Sequence, residues 1–273
     1  MRQVIAIGGG GFGRTQESNL IEQFILDQTA KKNPKICFIP TATGDLDPYI
    51  VNYYSVFSKL ECEPTHISFF KRTIDLEKHI LKQDAIFVGG GNTKSMLAVW
   101  RDWGLDLILK KAYQQGVVMS GVSAGAICWF EAGLTDSWAS ELKMMQCMNF
   151  IPGSCAPHYD EEPERRPATQ KFLEDGSINF MHGIEGGAAL HFINEELEAN
   201  RAYLQSLRSY MYDGLPNPPP IVWAQFAHHP VPHQHPRSFL PDRSVHRAVP
   251  IHYWGHGGLA QADLVSSRTR SHP

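Results

Sequence analysis

Val117-Val118-Met119-Ser120-Gly121-Val122-Ser123-Ala124-Gly125-Ala126 reads as a strand, a sharp turn and the start of a helix. An apolar run ends in Gly-x-Ser-x-Gly, and the apolar stretch Ala126-Ile127-Cys128-Trp129-Phe130 continues as the expected helix. A strand that turns this sharply into a helix forces its central residue into strained backbone angles, so the neighbours must be small. Gly121, Ala124 and Gly125 meet that demand. The turn would hold the Ser123 hydroxyl clear of a sheet edge, where a backbone N–H and the helix dipole can stabilise a developing oxyanion.

Working outward, apolar strands are expected over 4–9, 35–41, 66–70, 85–88 and 117–120. Helical spacing fills the gaps at 18–31, 49–60, 76–81, 93–100 and 105–113. Continuous apolar strands separated by helices predict an α/β fold, with a mostly parallel sheet covered on both faces. In such folds functional residues gather at the carboxyl ends of the strands. Ser123 and the loop Gly89-Gly90-Gly91-Asn92 both lie there.

A net charge of −3 argues against a nucleic-acid partner. No apolar run approaches the roughly 20 residues that span a membrane, and the N-terminus enters a strand at once, without a signal-peptide layout. Five scattered cysteines read as reduced thiols, so a cytoplasmic protein is expected. Oligomeric state is not legible.

Lys171 is the last lysine, and eight of the thirteen histidines and ten of the eighteen prolines follow Leu204. The chain therefore divides into an α/β domain over 1–200 and an atypical Pro/His-rich C-terminal tail over 201–273. The tail reads either as a poorly ordered, linker-like segment or as the product of a frame change. Its apolar cluster Ile221, Val222, Trp223 and Phe226 suits one short segment docked at a sheet edge.

A serine nucleophile needs a base, and the base needs an orienting acid. Before the tail the histidines are His66, His79, His158, His182 and His191. His66 in a strand and His79 on a helix read as structural. His158, in Ala156-Pro157-His158-Tyr159-Asp160, sits in a proline-fixed loop after an apolar segment, which suits a base reaching over to Ser123.

Three motifs in order, Gly89-Gly90-Gly91-Asn92-Thr93, Gly121-Val122-Ser123-Ala124-Gly125-Ala126 and Pro157-His158-Tyr159-Asp160, resemble those of the S51 serine peptidases. That family holds the aspartyl dipeptidases (peptidase E) and, more distantly, cyanophycinase. The resemblance spans roughly 3–197. It implies a three-layer sandwich of the class I glutamine amidotransferase-like type, with Ser in place of the amidotransferase Cys. It further implies Ser123 as nucleophile, His158 as general base and an oxyanion hole from the N–H groups of Ala124 and Gly91. The expected substrate is a small peptide, with no cofactor and no metal. The acid would be Glu185, in Gly183-Ile184-Glu185-Gly186-Gly187, with Asp136 as its rival; Asp160 would cap its own loop. An acidic substrate side chain would need a cation, for which Arg14, Arg165 and Arg166 are candidates.

Two other readings compete. Gly8-Gly9-Gly10-Gly11-Phe12-Gly13 fits a dinucleotide fingerprint, but no acidic residue stands at the tip of the second strand to hold a ribose. The tract His228-His229-Pro230-Val231-Pro232-His233-Gln234-His235 is histidine-rich but lacks a fixed four-ligand spacing.

Overall fold

The computed structural model describes residues 1–12, 19–138 and 140–198, together with the backbone of 221–222. The remainder of the tail, Arg14 and the histidine tract lie outside the described residues.

A seven-stranded sheet forms the centre. Its parallel part comprises β1 (Gln3–Ile7), β2 (Lys35–Ile39), β3 (Glu63–His66), β4 (Ala85–Val88) and β5 (Val118–Val122), in the spatial order β1-β5-β4-β2-β3. On the other side of β1 lie the antiparallel β10 (Ala189–Ile193) and then β11 (Glu196–Leu197).

Alternation along each strand sorts the side chains into two cores. Val4, Ala6, Cys37, Ile39, Ile86, Val88 and Met119 pack on one face, with Leu76 and Ile80 of α3 (Leu76–Ile80), Met96, Leu97 and Trp100 of α4 (Thr93–Trp103) and Leu105 and Leu109 of α5 (Leu105–Gln114). Ile5, Ile7, Ile36, Phe38, Ala85, Phe87 and Val118 point the other way. They meet Ile25 and Leu26 of α1 (Leu20–Asp27) and Ile50, Tyr53 and Phe57 of α2 (Asp47–Phe57). Both faces of the sheet are therefore dry, as crossover helices on parallel strands require, and the three expected layers are present.

A second sheet follows the elbow. It has the order β12-β9-β8-β6-β7, from β6 (Phe130–Thr135), β7 (Lys143–Gln146), β8 (Ile151–Ala156), β9 (Met181–Gly183) and β12 (Ile221–Val222). All neighbours are parallel except β6 with β7. Short strands with half-polar patterns hid this sheet from the sequence reading. Ile221–Val222 adds an edge strand beside β9, where a short docked segment of the tail was expected.

Two local expectations shift. The third strand is Glu63–His66, and Ile67 and Phe69 are buried in the loop after it, where Asp45 Oδ2 accepts from the N–H of Phe69 at 2.5 Å. The helix after the elbow, α6 (Ala124–Ile127), has only one turn before the chain re-extends into β6. The five cysteines are free, and no helix among the described residues is long and apolar enough to cross a membrane.

His182, on β9, is wedged among the rings of Phe130, Phe180 and Phe192. Burial pushes its imidazole down to about 3. In the unfolded chain the same ring titrates near 6.5, so between these values the unfolded state binds more protons. The stability due to the neutral buried ring is complete above about pH 6.5 and falls as the pH drops toward 3. Replacing the ring with an apolar residue, His182→Leu, should shrink the loss of unfolding free energy between pH 7.5 and pH 5 by about 1–2 kcal/mol, measured by urea denaturation.

Candidate active site

Strand β1 ends in a point where four loops meet. The N–H of Ser123 donates to the carbonyl of Ile7 at 3.0 Å, that of His158 to Gly8 at 3.2 Å, and that of Gly187 to Gly9 at 3.0 Å. The N–H of Gly8 donates to Ala188 at 3.0 Å. Side chains would prevent this convergence. A Cβ on Gly8 would lie 2.3 Å from the carbonyl oxygen of Glu185. Gly8 and Gly9 thus serve close packing within the chain.

Ser123 has φ 57° and ψ −112°, a strained conformation for a residue with a side chain. The flanking glycines have ordinary backbone angles and are needed for room. A Cβ on Gly121 would lie 2.4 Å from the carbonyl oxygen of Gly125, and one on Gly125 would lie 2.2 Å from that of Val88. The elbow is therefore pressed against β4, and the loop after β4 reaches Ser123: a Cβ on Gly90 would sit 3.2 Å from Ser123 Cβ.

The N–H of Gly90 points to the Tyr49 hydroxyl at 3.4 Å, whereas those of Gly91 and Ala124 meet no acceptor among the described residues. Asn92 ends the loop as the N-cap of α4, its Oδ1 accepting from the N–H of Ser95 at 2.8 Å. Ala124 directly follows Ser123, and free amides of this kind are what an oxyanion hole draws on. With α6 only one turn long, the two amides rather than a helix dipole would supply the stabilisation.

His158 follows the end of β8 and is 7% exposed, with φ 51°. Its Nδ1 lies 2.6 Å from Glu161 Oε2. The N–H groups of Glu161 and Glu162 both donate to the His158 carbonyl, at 3.1 and 3.0 Å, so 158–162 is a single helical turn. A turn of that kind places residue i+3 over residue i. The spacing His-x-x-Glu was the available signal for this contact, and the sequence reading passed over it. No hydrogen bond joins Ser123 Oγ to the His158 ring.

Glu185, the expected acid, stands elsewhere. Its Oε1 accepts from Arg166 Nη2 at 3.2 Å, and no bond links it to His158. Burial, then nearby Asp160, raises its pKa, while Arg166 works against both. Asp136, the rival, is exposed and lines a cavity of about 820 Å³ with Glu162, Glu164 and Lys171. Asp160 caps a different loop from its own: its Oδ1 accepts from the N–H of Gly186 at 2.7 Å.

The other candidates also find places. Arg165 is buried, donating to the Leu134 carbonyl at 2.8 Å and to Glu162 at 2.6 Å, which makes it structural. Arg166 is half-exposed, lies over the Tyr159 ring and donates to the Tyr159 carbonyl. His66 bonds the Tyr54 hydroxyl, His79 meets Thr65, and His191 bonds Gln3, so these rings are structural. Among the described residues no group of three or more His, Cys, Asp or Glu is placed to hold a metal ion.

Comparison with known proteins adds to this geometry. The profile of Peptidase family S51 matches residues 4–200. The chain is 46% identical over 198 residues to "Uncharacterized peptidase YgaJ" of Bacillus subtilis (strain 168), spanning 72% of this chain and 86% of that protein. It is 26% identical over 180 residues to "Peptidase E" of Streptomyces coelicolor (strain ATCC BAA-471 / A3(2) / M145), spanning 62% and 70%. A solved peptidase from an acI-B1 Actinobacterium shares the fold, with a TM-score of 0.59 at 16% identity over 73% of this chain and 85% of that one.

Gly90 and Gly91 should respond differently to the same added methyl group. Gly91 has φ 137°, and a Cβ there would fall 2.3 Å from the Ala42 carbonyl oxygen. Gly91→Ala should lower the unfolding free energy by about 2–3 kcal/mol. Gly90→Ala, with ordinary backbone angles, should cost under about 1 kcal/mol and press on Ser123 instead. Urea denaturation of both variants gives the comparison.

Proposed function

Since the chain belongs to peptidase family S51, we propose that it is a serine-type peptidase cleaving small peptides, those with an N-terminal aspartate among them, through Ser123 and His158. The observation that carries this reading is the joint anchoring of the two residues. Their N–H groups bond the successive carbonyls of Ile7 and Gly8, which brings a strained serine and a buried histidine to one strand tip.

In the proposed reaction Ser123 Oγ attacks the scissile carbonyl. With Nδ1 engaged by a carboxylate, the imidazole keeps its Nε2 lone pair and takes the Ser123 proton there. The carbonyl oxygen becomes an oxyanion held by the N–H groups of Ala124 and Gly91. Such donors are typically worth about 3–4 kcal/mol of transition-state stabilisation each. The C–N bond then breaks as His158 passes the proton to the leaving amine. Water, deprotonated in turn by His158, cleaves the acyl-enzyme and restores the serine.

An N-terminal aspartate calls for a cation, and Arg166 is the described candidate that is still partly open to solvent. Its place beside Tyr159 and Glu185, close to His158 in sequence and space, supports that role.

Two variants test the proposal. Ser123→Ala should abolish both turnover of a panel of Asp-X dipeptides and covalent labelling by a fluorophosphonate, with an unchanged melting temperature. Retained turnover would rule out Ser123 as nucleophile. Arg166→Ala should raise KM for Asp-X substrates about tenfold or more, with a smaller change in kcat, as expected on losing one charge-assisted hydrogen bond.

A further inference from the structure

We infer that Tyr49 is a positioning residue of the candidate site: its hydroxyl occupies the amide of Gly90, so that Gly91 is the glycine whose N–H the loop after β4 leaves open. The inference rests on the Ser123–His158 reading and deepens it, by naming the side chain that sets the loop next to the serine.

The loop runs Gly89-Gly90-Gly91-Asn92, and its four N–H groups have separate fates. That of Gly89 donates to the Ile39 carbonyl at 3.1 Å, and that of Asn92 to the Ala42 carbonyl at 2.8 Å. Both acceptors belong to β2 and the turn after it, so the two ends of the loop are tied to backbone. Between them, the N–H of Gly90 donates to the Tyr49 hydroxyl oxygen at 3.4 Å. The N–H of Gly91 alone in this loop meets no acceptor among the described residues. One side chain therefore decides which of the two central amides stays open.

The three glycines are bare for three different neighbours. A Cβ on Gly89 would lie 2.7 Å from Tyr49 Cε1, one on Gly90 3.2 Å from Ser123 Cβ, and one on Gly91 2.3 Å from the Ala42 carbonyl oxygen. Neither Gly89 nor Gly90 has a positive φ, so room and not conformation is what these two supply. The room at Gly89 lets the Tyr49 ring lie against the end of β4, with its hydroxyl one residue farther along.

Tyr49 reaches the loop from α2. Its ring meets Phe38 edge-on at 5.1 Å and Phe12 at 5.3 Å. Tyr53, one helical turn on, stacks on the same Phe38 at 4.8 Å, but its hydroxyl donates to the Ile36 carbonyl at 3.1 Å, within β2. Two tyrosines thus share one aromatic bed and differ in what their hydroxyls hold. Tyr53 ties α2 to the sheet, and Tyr49 ties α2 to the loop. A stiff apolar ring with a polar tip suits such a task. With Phe at position 49 the bed would stay filled, while the Gly90 amide would lose its acceptor and the loop its central tie.

The test makes the same chemical change at both tyrosines of the full chain. Tyr49→Phe and Tyr53→Phe each remove one hydroxyl and keep the ring. The first readout is amide hydrogen exchange, followed residue by residue in ¹⁵N-labelled protein, and it needs no turnover. In the wild-type protein the Gly90 N–H should exchange at least about tenfold more slowly than that of Gly91, after correction for intrinsic rates. Tyr49→Phe should abolish this difference, and Tyr53→Phe should preserve it. Equal exchange at the two glycines in the wild-type protein, or an unaltered difference in Tyr49→Phe, would overturn the inference.

The second readout is turnover of an Asp-X dipeptide. Tyr49→Phe should lower kcat about tenfold, less than the outright loss of an oxyanion donor. KM should stay within about twofold, because such a donor acts on the transition state. Tyr53→Phe loses a buried hydrogen bond and should lower the melting temperature while leaving kcat unchanged. Equal losses of kcat in the two variants would overturn the inference and reduce Tyr49 to one more core aromatic. A wild-type protein that shows the expected exchange pattern, yet neither turns over the dipeptide nor takes up a fluorophosphonate, would refute the peptidase reading while leaving the hold of Tyr49 on the loop intact.

Discussion

The tip of β1 is the constraint on which the rest of the structure depends. Three successive carbonyls, of Ile7, Gly8 and Gly9, receive the N–H groups of Ser123, His158 and Gly187. Each of these residues follows a different strand or belongs to a different turn, and none is near another in sequence. Buried backbone groups must be paired, so the strand tip dictates where the loops end. The central sheet supplies the serine and the second sheet supplies the histidine. Their meeting depends on backbone bonds rather than on side-chain attraction. A local turn then brings the Glu161 carboxylate against His158 Nδ1, three residues along.

Much of the fold was legible because burial on both faces leaves a plain trace. Val4 to Ile7, Ile36 to Ile39 and Ala85 to Val88 are uninterrupted apolar runs, and each is buried along its length. The second sheet left a weaker trace. Its strand Lys143–Gln146 is only half-buried, and Ile151–Ala156 carries Pro152, Gly153 and Ser154. Such segments gain their conformation from neighbours rather than from local preference, so propensity and periodicity pass over them.

At the candidate site, the strained turn at Ser123 and the strand-end place of His158 were legible because each lies within a short motif. The Glu161 carboxylate beside His158 was not. Glycines near Glu185 suggested a rigid turn built to hold that carboxylate. Gly186 instead clears space for the Glu161 side chain, a role that depends on a contact across 25 positions of sequence and has no local signature. The estimate for the helix after Ser123 failed for a related reason. Trp129 and Phe130 are fully buried between the two sheets, and that packing ends α6 after one turn although its apolar sequence could continue it.

The crowding at Gly121 and Gly125 makes this architecture change asymmetrically over evolutionary time. Losing the hydroxyl of Ser123 removes one atom from a turn whose shape is set by its neighbours, whereas a methyl group on Gly125 collides with the backbone of Val88. Chemistry can therefore be lost without the fold, but the glycines cannot drift without losing both. A descendant of this chain that abandoned hydrolysis for binding would still carry an intact elbow, and its history would be readable from glycines that no longer served a reaction.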